Sequence, residues 1–217
     1  MTEPATTDAS RPTRLDRRKA RTRQALVDAV VRLIAAGRGD RASIQEITEA
    51  ADIGFGSFYN HFESKEQLFR TASQEVLERW GAMIDRACAG IGDPAVVFTV
   101  SVRITGRLGW THPDLARFLV GAGLDLLDQP AGLAPRALRD IKAGQAVGRF
   151  SVPHAEVALS AVAGGLLGLL RTHLRQPDEI DETAVDELTR ALLRLLGLPD
   201  DEAARLIALE LPPTQPW

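Results

Sequence analysis

The sequence predicts an all-α protein, and three observations support this prediction. Apolar residues recur three and four positions apart along most of the chain, as on one face of an amphipathic helix. No stretch alternates apolar and polar residues as a half-buried β-strand does. Short segments with Gly or Pro separate the helical runs, which is typical of joints between helices. With 217 residues, the chain is long enough for one large or two modest domains.

The first predicted helix covers residues 17–34, and its beginning is strongly basic. Its apolar stripe consists of Leu26, Ala29, Val30, Leu33 and Ile34. Only Asp16 is acidic in the basic segment, whose other charged residues are Arg11, Arg14, Arg17, Arg18, Lys19, Arg21 and Arg23. Such a cluster can neutralise phosphates and release counterions. For Arg11 and Arg14, a solvated and poorly ordered basic tail is an equal alternative.

Two short helices joined by a tight turn are predicted within residues 43–65. Ser43 and Glu46 form the capping-box pattern that begins a helix. One face of this helix carries Ile44, Ile47 and Ala51. Asp52, Ile53 and Gly54 then break the pattern, and Gly54 is the residue of this turn that can adopt a positive φ at little cost.

The second helix of this pair has an apolar side and a polar side. Phe58 and Phe62 are four residues apart and share its inward face. The side chains that must therefore point outward are Ser57, Tyr59, Asn60 and His61. A short turn between two crossing helices is the geometry of a helix-turn-helix, whose second helix enters the major groove of DNA.

Residues 17–69 resemble the DNA-binding domain of the TetR family of bacterial transcription regulators. The matching pattern is a helix followed by S-I-x-E-I-x-x-A-A and then by I-G-F-G-S-F-Y-N-H-F-x-S-K-E-x-L-F. The resemblance implies an all-helical homodimer that binds a roughly palindromic operator in double-stranded DNA. The chain departs from the family at Gly54 and Phe55, where a hydroxyl and a polar or charged residue are common. The Phe55 ring can still contact a thymine methyl group.

The resemblance also assigns roles in DNA binding to individual residues. Positions that match phosphate contacts are Ser43, Tyr59, His61 and Lys65. Candidates for contacts to the bases are Gln45, Ser57 and Asn60, with Phe55 against a thymine methyl group; Gly56 completes the predicted DNA-binding set. Alternatives remain for four of these residues. Gln45 and Lys65 can be plain surface residues, Asn60 can contact phosphate alone, and His61 can be a core histidine.

The chain after the motif is predicted to form a second, helical domain. We expect a disordered leader at residues 1–12, a DNA-binding domain at 13–63, a helical ligand-binding and dimerisation domain at 64–211, and a tail at 212–217. A long helix beginning after Ser64 and ending near Ala89 would couple the two domains physically. Further helices are predicted at residues 94–108, 113–127, 135–146, 154–174, 182–196 and 200–210.

Small residues in the helix at residues 154–174 predict a close helix contact. Each interior glycine costs about 1 kcal/mol of helix propensity relative to alanine, and close approach of another backbone can offset this cost. This helix and the next match the family's dimerising pair in order. The predicted dimer interface consists of Ser160, Ala161, Gly164, Gly165, Gly168, Leu188, Leu192 and Leu195. Packing within one monomer is the alternative.

An effector pocket is expected in the middle of the chain, because such pockets combine apolar walls with a few polar groups. The candidate residues are Met83, Phe98, Arg103, Trp110 and Phe118. They imply a small, partly apolar effector, although an apolar stripe is more often plain core. We therefore expect a repressor that a small molecule releases from DNA. A ligand-independent regulator that binds DNA or a protein partner is the alternative.

Other classes of protein find no support in the sequence. The four histidines lack the spacing of metal ligands, and a glycine-rich phosphate loop is absent, so we predict no enzyme, no metal and no cofactor. Cys88 is the only cysteine, which excludes an intrachain disulfide. The longest uncharged run, residues 157–170, is too short to span a bilayer and typical of a buried helix. We expect no membrane association and a cytoplasmic location.

Overall fold

A computed structural model of the chain describes residues 13–35, 38 and 42–213. The predicted leader with Arg11 and residues 214–217 of the predicted tail lie outside the described residues. No described residue is in a β-strand, and the all-α prediction is confirmed. The α-helices are α1 (Arg14–Ala35), α2 (Ile44–Ala50), α3 (Lys65–Ala87), α4 (Pro94–Gly106), α5 (Leu108–Thr111), α6 (Pro113–Ala122), α7 (Leu133–Ala146), α8 (Ala155–Arg175), α9 (Thr183–Leu195) and α10 (Asp200–Ile207).

Two 3₁₀-helices complete the set. One, Phe55–Asn60, follows α2 and is called the recognition helix here; the other, Gly123–Asp128, follows α6. The recognition helix was predicted as an ordinary second helix, but it comprises only six residues with tighter winding. Gly54 caps this helix and Gly56 is its second residue. These two glycines explain the short 3₁₀ geometry, because glycine is a poor α-helix former and 3₁₀-helices occur in short pieces.

Helix α1 begins at Arg14, three residues earlier than predicted, because Thr13 and Asp16 cap it reciprocally. The Thr13 amide and hydroxyl donate to the Asp16 carboxylate at 2.9 and 2.7 Å, and the Asp16 amide donates back to the Thr13 hydroxyl at 3.2 Å. Arg14 is therefore helical, which removes the disordered-tail alternative for this residue.

The turn after α2 differs from the prediction in which residue takes the left-handed conformation. Asp52 has φ +55°, whereas Gly54 has φ −63°. The Asp52 amide donates to Glu49 O and the Ile53 amide to Thr48 O, which is a Schellman ending. Aspartate tolerates this conformation better than most residues because its side chain is short and polar, so the turn closes two residues before the glycine.

Phe58 and Phe62 form the buried side of the recognition helix, called its floor below, as predicted. Both are buried, with exposures of 0% and 2%, in a core that includes Leu26 of α1, Ile47 of α2 and Leu68 of α3. The spacing of four residues therefore places both rings in the N-terminal core, and the polar residues between them remain near the surface.

Helix α3 belongs to both halves of the molecule. Its first turns contribute Leu68 and Ala72 to the N-terminal core. Its later turns contribute Trp80 and Ile84, with neighbours, to a second core shared with α4, α5, α6 and α8. A single 23-residue helix thus joins the region beneath the recognition helix to the C-terminal half, as the sequence predicts.

The C-terminal helices differ from the prediction mainly where glycine ends a helix. The helix predicted at residues 113–127 stops at Ala122, because Gly123 has φ +60° and the chain continues as the second 3₁₀-helix. Helix α4 ends at Gly106, two residues earlier than predicted, and the short α5 follows. A third core joins α4, α7, α8, α9 and α10 around residues such as Phe98 and Leu193.

Helix α8 is less buried than the sequence analysis predicted. It is the one described helix long and apolar enough to cross a membrane, with a mean hydropathy of 1.5, a weak indication that core helices of soluble proteins also meet. Only 28% of the 18-residue apolar stretch of this helix is buried within the chain. Ala158, Leu159 and Val162 face inward, whereas Val157 is 66% exposed. The prediction of a buried helix therefore holds for one face alone.

Candidate DNA-binding surface and ligand cavity

The start of α2 carries the capping box that the sequence predicts. The Glu46 amide donates to the Ser43 hydroxyl at 3.2 Å, and the Ser43 amide donates to the Glu46 carboxylate at 2.8 Å. The Ser43 hydroxyl donates to the same carboxylate at 3.0 Å. Hydrogen bonds from Ser43 lower the pKa of Glu46. Gln45, one residue into the helix, is exposed and donates to Glu49 Oε1 at 3.0 Å.

The recognition helix presents two aromatic rings to solvent above its buried floor. Tyr59 is 58% exposed, and its ring meets that of buried Phe58 edge-on at 5.2 Å between centroids. Phe55 is 54% exposed and lies 6.2 Å from the Tyr59 ring. Gly56 and Asn60 are exposed as well. This face therefore combines a phenol, an amide and an apolar ring within six residues.

Among the described residues, none packs against Gly56 closely enough to require a glycine there. A Cβ atom built on it would meet no other atom within 4 Å. Ser57, beside it, is half-buried. Open space at Gly56 leaves room for an external group to approach the backbone closely.

His61 lies half-buried between the recognition helix and the basic end of α1. Burial, with the positive charges of Lys19 and Arg23 nearby, lowers the pKa of the His61 imidazole. The Arg23 guanidinium lies 4.8 Å from the centroid of the Phe62 ring and 3.7 Å from the Glu75 carboxylate of α3. His61 is therefore a partly exposed residue in a positive environment and not a fully buried core histidine.

Lys65 begins α3 at the edge of the same surface. It is half-buried, and its ammonium group lies 5.5 Å from the centroid of the Phe69 ring. The exposed basic residues near the start of α1 are Arg14, Arg17, Arg18, Lys19 and Arg21. The chain thus combines a cationic helix end with the polar recognition helix.

The five predicted effector residues do not share one cavity. Phe98 lines the cavity described below, but Met83 and Phe118 are buried in the second core. Arg103 donates to Asp186 at 2.7 Å and to the Leu209 carbonyl at 2.6 Å, and so ties α4 to α9 and the C-terminal segment. Trp110 stacks on His173, with 3.8 Å between ring centroids. Four of the five therefore have structural partners away from the cavity.

A cavity of about 110 Å³ lies between α3, α4, α6, α7, α8 and the second 3₁₀-helix. Its walls are mostly apolar, as in ligand sites generally. Representative apolar wall residues are Ile84, Phe98, Leu119, Leu133, Val162 and Leu166. Its polar wall residues are Asp85, Ser101, Thr105, Arg136 and Asp140.

An ion-pair cluster closes the polar side of the cavity and joins α3 to α7. We call it the α3–α7 charge cluster; its members are Glu78, Asp85, Arg136, Arg139 and Asp140. Arg136 Nε donates to Asp85 at 2.7 Å, and its two terminal nitrogens donate to Glu78 at 2.9 and 2.6 Å. Arg139 donates to Asp85 at 2.9 Å and to Asp140 at 2.8 Å.

Burial and ion pairing act oppositely on the two aspartates of this cluster. Burial opposes ionisation of Asp85, but hydrogen bonds from Arg136 and Arg139 outweigh it and lower its pKa. Burial prevails at Asp140 and raises its pKa, although Arg139 donates to it. The hydrogen bonds that Arg136 donates to Glu78 raise the pKa of Arg136, which is therefore charged throughout the physiological range.

The sequence contained a usable sign of this cluster. Asp85 lies beside the apolar stripe of α3, and Arg136 and Asp140 are four residues apart on α7, so both helices bring charge toward an apolar core. The predicted pocket residues, mostly aromatic or flexible and apolar, do not include this cluster, because no local sequence pattern indicates that α3 and α7 are neighbours.

The residues of the predicted dimer interface separate into two groups. Ser160, Gly164 and Gly168 are exposed on α8, and a Cβ built on either glycine would meet nothing within 4 Å. Leu195 of α9 is 46% exposed. The other α8 residues, Ala161 and Gly165, are half-buried.

The second group packs within the chain. A Cβ on Gly165 would lie 3.0 Å from Leu188 Cδ1 of α9, so this glycine allows α8 and α9 to pack together. Leu192 is buried in the third core, and Leu188 packs against it. The contacts of these residues within the chain match the intrachain alternative, because Leu188 and Leu192 of α9 pack toward α8 and the third core.

Two family matches cover most of the chain. Residues 26–72 match the family described as bacterial regulatory proteins, tetR family. Residues 93–209 match the tetracyclin repressor-like C-terminal domain. No curated protein gives a significant match to the sequence.

The chain is also similar to solved structures of regulators. The regulator RolR in complex with resorcinol is 29% identical, with a TM-score of 0.74 over 92% of this chain and 99% of that chain. Ligand-free RolR is also 29% identical, with a TM-score of 0.71 over 88% and 98%. FadR from Bacillus halodurans, a fatty acid degradation regulator, shares the fold at 21% identity, with a TM-score of 0.64 over 79% and 94%. The chain belongs to the TetR family of DNA-binding transcription regulators.

Proposed function

We propose that the chain is a repressor that binds a palindromic operator as a homodimer and leaves it when a small effector occupies the cavity. The observation that carries this proposal is the double role of α3. Its first turns pack beneath the recognition helix, and Ile84 and Asp85 near its other end line the cavity. A ligand that prefers one position of α3 therefore shifts the recognition helices, provided that its affinity differs between the two states.

The polar face above Phe58 and Phe62 is proposed to enter the major groove. In this arrangement Ser43, Tyr59, His61 and Lys65 contact phosphates, which fixes the register of the protein on DNA. Bases are read by Gln45, Ser57 and Asn60, with Phe55 against a thymine methyl group and Gly56 close to the DNA. The exposure of Tyr59, Asn60 and Phe55 supports these roles.

A second copy of the chain is proposed to cover the outer faces of α8 and α9. The exposed residues that would meet it are Val157, Ser160, Gly164, Gly168 and Leu195. Small residues allow two helices to approach closely, and pairing α8 and α9 with their symmetry mates gives a four-helix interface. The low burial of the apolar α8 supports this proposal. An operator-bound dimer of this kind acts in the bacterial cytoplasm, and we propose no membrane association, cofactor or catalytic activity.

The effector is proposed to be a small, partly apolar molecule. The cavity's size and lining support this class. RolR, to which the chain is similar over almost its full length, has been solved with resorcinol, a single-ring compound.

Recovery of genomic DNA fragments bound by the purified protein tests the proposal. We expect enrichment of one roughly palindromic sequence, and fluorescence anisotropy on that fragment should give two chains per site. Asn60→Ala should weaken binding, by about 1–3 kcal/mol if Asn60 pairs with a base. Gln176→Ala, at an exposed position after α8, is the control. Enrichment without sequence preference, or one chain per site, contradicts the proposal.

A matched pair of glycine variants tests the dimer. Gly164→Leu places a bulky side chain on the outer face of α8, whereas Gly121→Leu does so on the exposed surface of α6; a Cβ at either site meets nothing within 4 Å. Sedimentation should show that only Gly164→Leu dissociates the dimer. An unchanged dimer in Gly164→Leu would place the interface elsewhere.

A further inference from the structure

The size and walls of the cavity restrict its ligand to about one ring. Its volume is about 110 Å³. An apolar cavity of roughly 150 Å³ in another protein takes up benzene, so a single six-membered ring with small substituents is the matching size. A long acyl chain does not fit within this volume.

Among the described residues, Arg136 carries the only guanidinium group in the cavity wall, and other residues of the chain already bind it. Arg136 uses four of its five N–H groups, one on Asp85, two on Glu78 and one on the Gly132 carbonyl at 3.0 Å. A bidentate contact to a ligand carboxylate requires two free N–H groups on one side of the guanidinium. Arg136 therefore does not offer the usual site for an anion.

The charge around the polar wall also disfavours anions. The α3–α7 charge cluster contains three carboxylates and two guanidinium groups, which leaves one net negative charge when all five are ionised. Two of the carboxylates, Asp85 and Asp140, line the cavity directly. A second anion placed against them would be repelled in a largely apolar surrounding, where charges are poorly screened.

Asp140 keeps an acceptor for a ligand. Its Oδ1 accepts from Arg139 Nε at 2.8 Å, and among the described residues no donor reaches Oδ2. Its side chain is only 14% exposed, so solvent reaches it poorly. Burial raises its pKa, as expected for a carboxylate that lacks a full set of donors. Ser101 and Thr105 line the same cavity and supply hydroxyl groups from α4.

We infer that the cavity selects neutral single-ring molecules that carry a hydroxyl group, such as phenols, and that Asp140 determines this specificity by accepting the hydroxyl hydrogen bond. Carboxylates of the same size are excluded. The inference rests on the proposed effector role of the cavity, but it concerns which molecules bind and not what their binding does to DNA.

Titration calorimetry with phenol, toluene and benzoate tests this specificity on the full chain. Phenol and toluene have nearly the same shape and differ in the hydroxyl donor, whereas benzoate adds a negative charge. We expect phenol to bind the unmodified protein and benzoate to give no measurable heat. Benzoate that binds as tightly as phenol overturns the inference.

Variants of Asp140 test the assignment to this residue. Asp140→Leu should lower the ratio of phenol to toluene affinity by about tenfold or more, because a hydrogen bond to a charged acceptor is lost. Asp140→Asn, which keeps the shape and removes the charge, should admit benzoate. The same substitutions at Asp114, an exposed aspartate at the start of α6, serve as controls and should change neither ratio.

The outcomes separate this inference from the proposed function. An unchanged phenol-to-toluene ratio in Asp140→Leu overturns the assignment of Asp140. Phenol that binds but leaves the operator complex intact contradicts effector release and supports the ligand class. If an Asp140 variant fails to fold in circular dichroism, the phenol and benzoate titrations of the unmodified protein still decide the ligand class.

Discussion

The recognition helix and the cavity use polar groups in opposite ways at the two ends of α3. The recognition helix turns aromatic and amide groups toward solvent, with Phe58 and Phe62 buried beneath them. The cavity turns apolar side chains inward and pairs most of its charges within the α3–α7 charge cluster. The first arrangement suits a large charged partner, and the second suits a small neutral one. Substitutions at the two ends should therefore affect different ligands.

The largest expected effect comes from removing the floor of the recognition helix. Phe58→Ala should destabilise the protein by about 3–5 kcal/mol, because a fully buried ring leaves a cavity. Denaturant unfolding measures this loss, and operator binding should fall with it. Tyr59→Phe, on the exposed side, should leave stability within about 0.5 kcal/mol. A small effect of Phe58→Ala would contradict the division between a buried floor and an exposed face.

A smaller effect is expected where the two regions are connected. Arg136→Met removes the link from α7 to Glu78 and Asp85 and leaves Asp85 partly buried with fewer donors. We expect a loss of about 1–3 kcal/mol in unfolding free energy. Operator affinity without effector should change little, but the difference in affinity caused by effector should shrink. Arg117→Met, in an exposed pair with Asp114, is the control. An unchanged effector response would show that coupling bypasses this cluster.

A more modest effect is expected from a phosphate contact at the start of α3. Lys65→Ala should make the plot of log affinity against log salt shallower by about 1.8 per dimer, because each chain loses one phosphate contact. Ligand binding in the cavity should not change, which would sharpen the contrast between the two ends. Lys142→Ala, at an exposed position of α7, is the matched control. An unchanged salt slope would remove Lys65 from the DNA contacts.

The smallest effect concerns pH. In the free protein, burial with Lys19 and Arg23 lowers the pKa of His61, so the imidazole is neutral near pH 7. A nearby phosphate favours the protonated form and raises that pKa in the complex. Binding then takes up a proton, so operator affinity should increase by less than about tenfold as the pH falls from 8 to 6.

Titration of operator by wild type and His61→Gln at several pH values measures this dependence. His154→Gln, at an exposed position before α8, is the control. Equal pH dependence in wild type and His61→Gln would show that another group takes up the proton.

The two regions also differ in how much of them the sequence could predict. The capping box of Ser43 and Glu46 and the inward pair Phe58 and Phe62 depend on neighbours within four residues, so periodicity was sufficient. Propensity favours glycine for the left-handed conformation and so points to Gly54, whereas the hydrogen bonds of the α2 ending require that conformation at Asp52.

The cavity depends on contacts between residues far apart in sequence. Asp85 and Arg136 are 51 positions apart and yet form one ion pair. Of the predicted effector residues, only Phe98 lies in the wall, because the packing of α3, α4, α7 and α8 decides which stripe faces the gap. Helical spacing and the order of the family's dimerising helices predict Leu192 in the dimer interface, but neither tells an internal face of α9 from an external one.

Anisotropy titration of the recovered operator fragment with wild type and a Tyr59→Ala, Asn60→Ala double variant tests the role of the recognition helix most directly. We expect two wild-type chains per fragment, a loss of sequence-specific binding in the double variant, and an unfolding midpoint that stays close to that of wild type, since both side chains are exposed. Specific binding that survives in the double variant would contradict the assignment of this helix to the DNA groove.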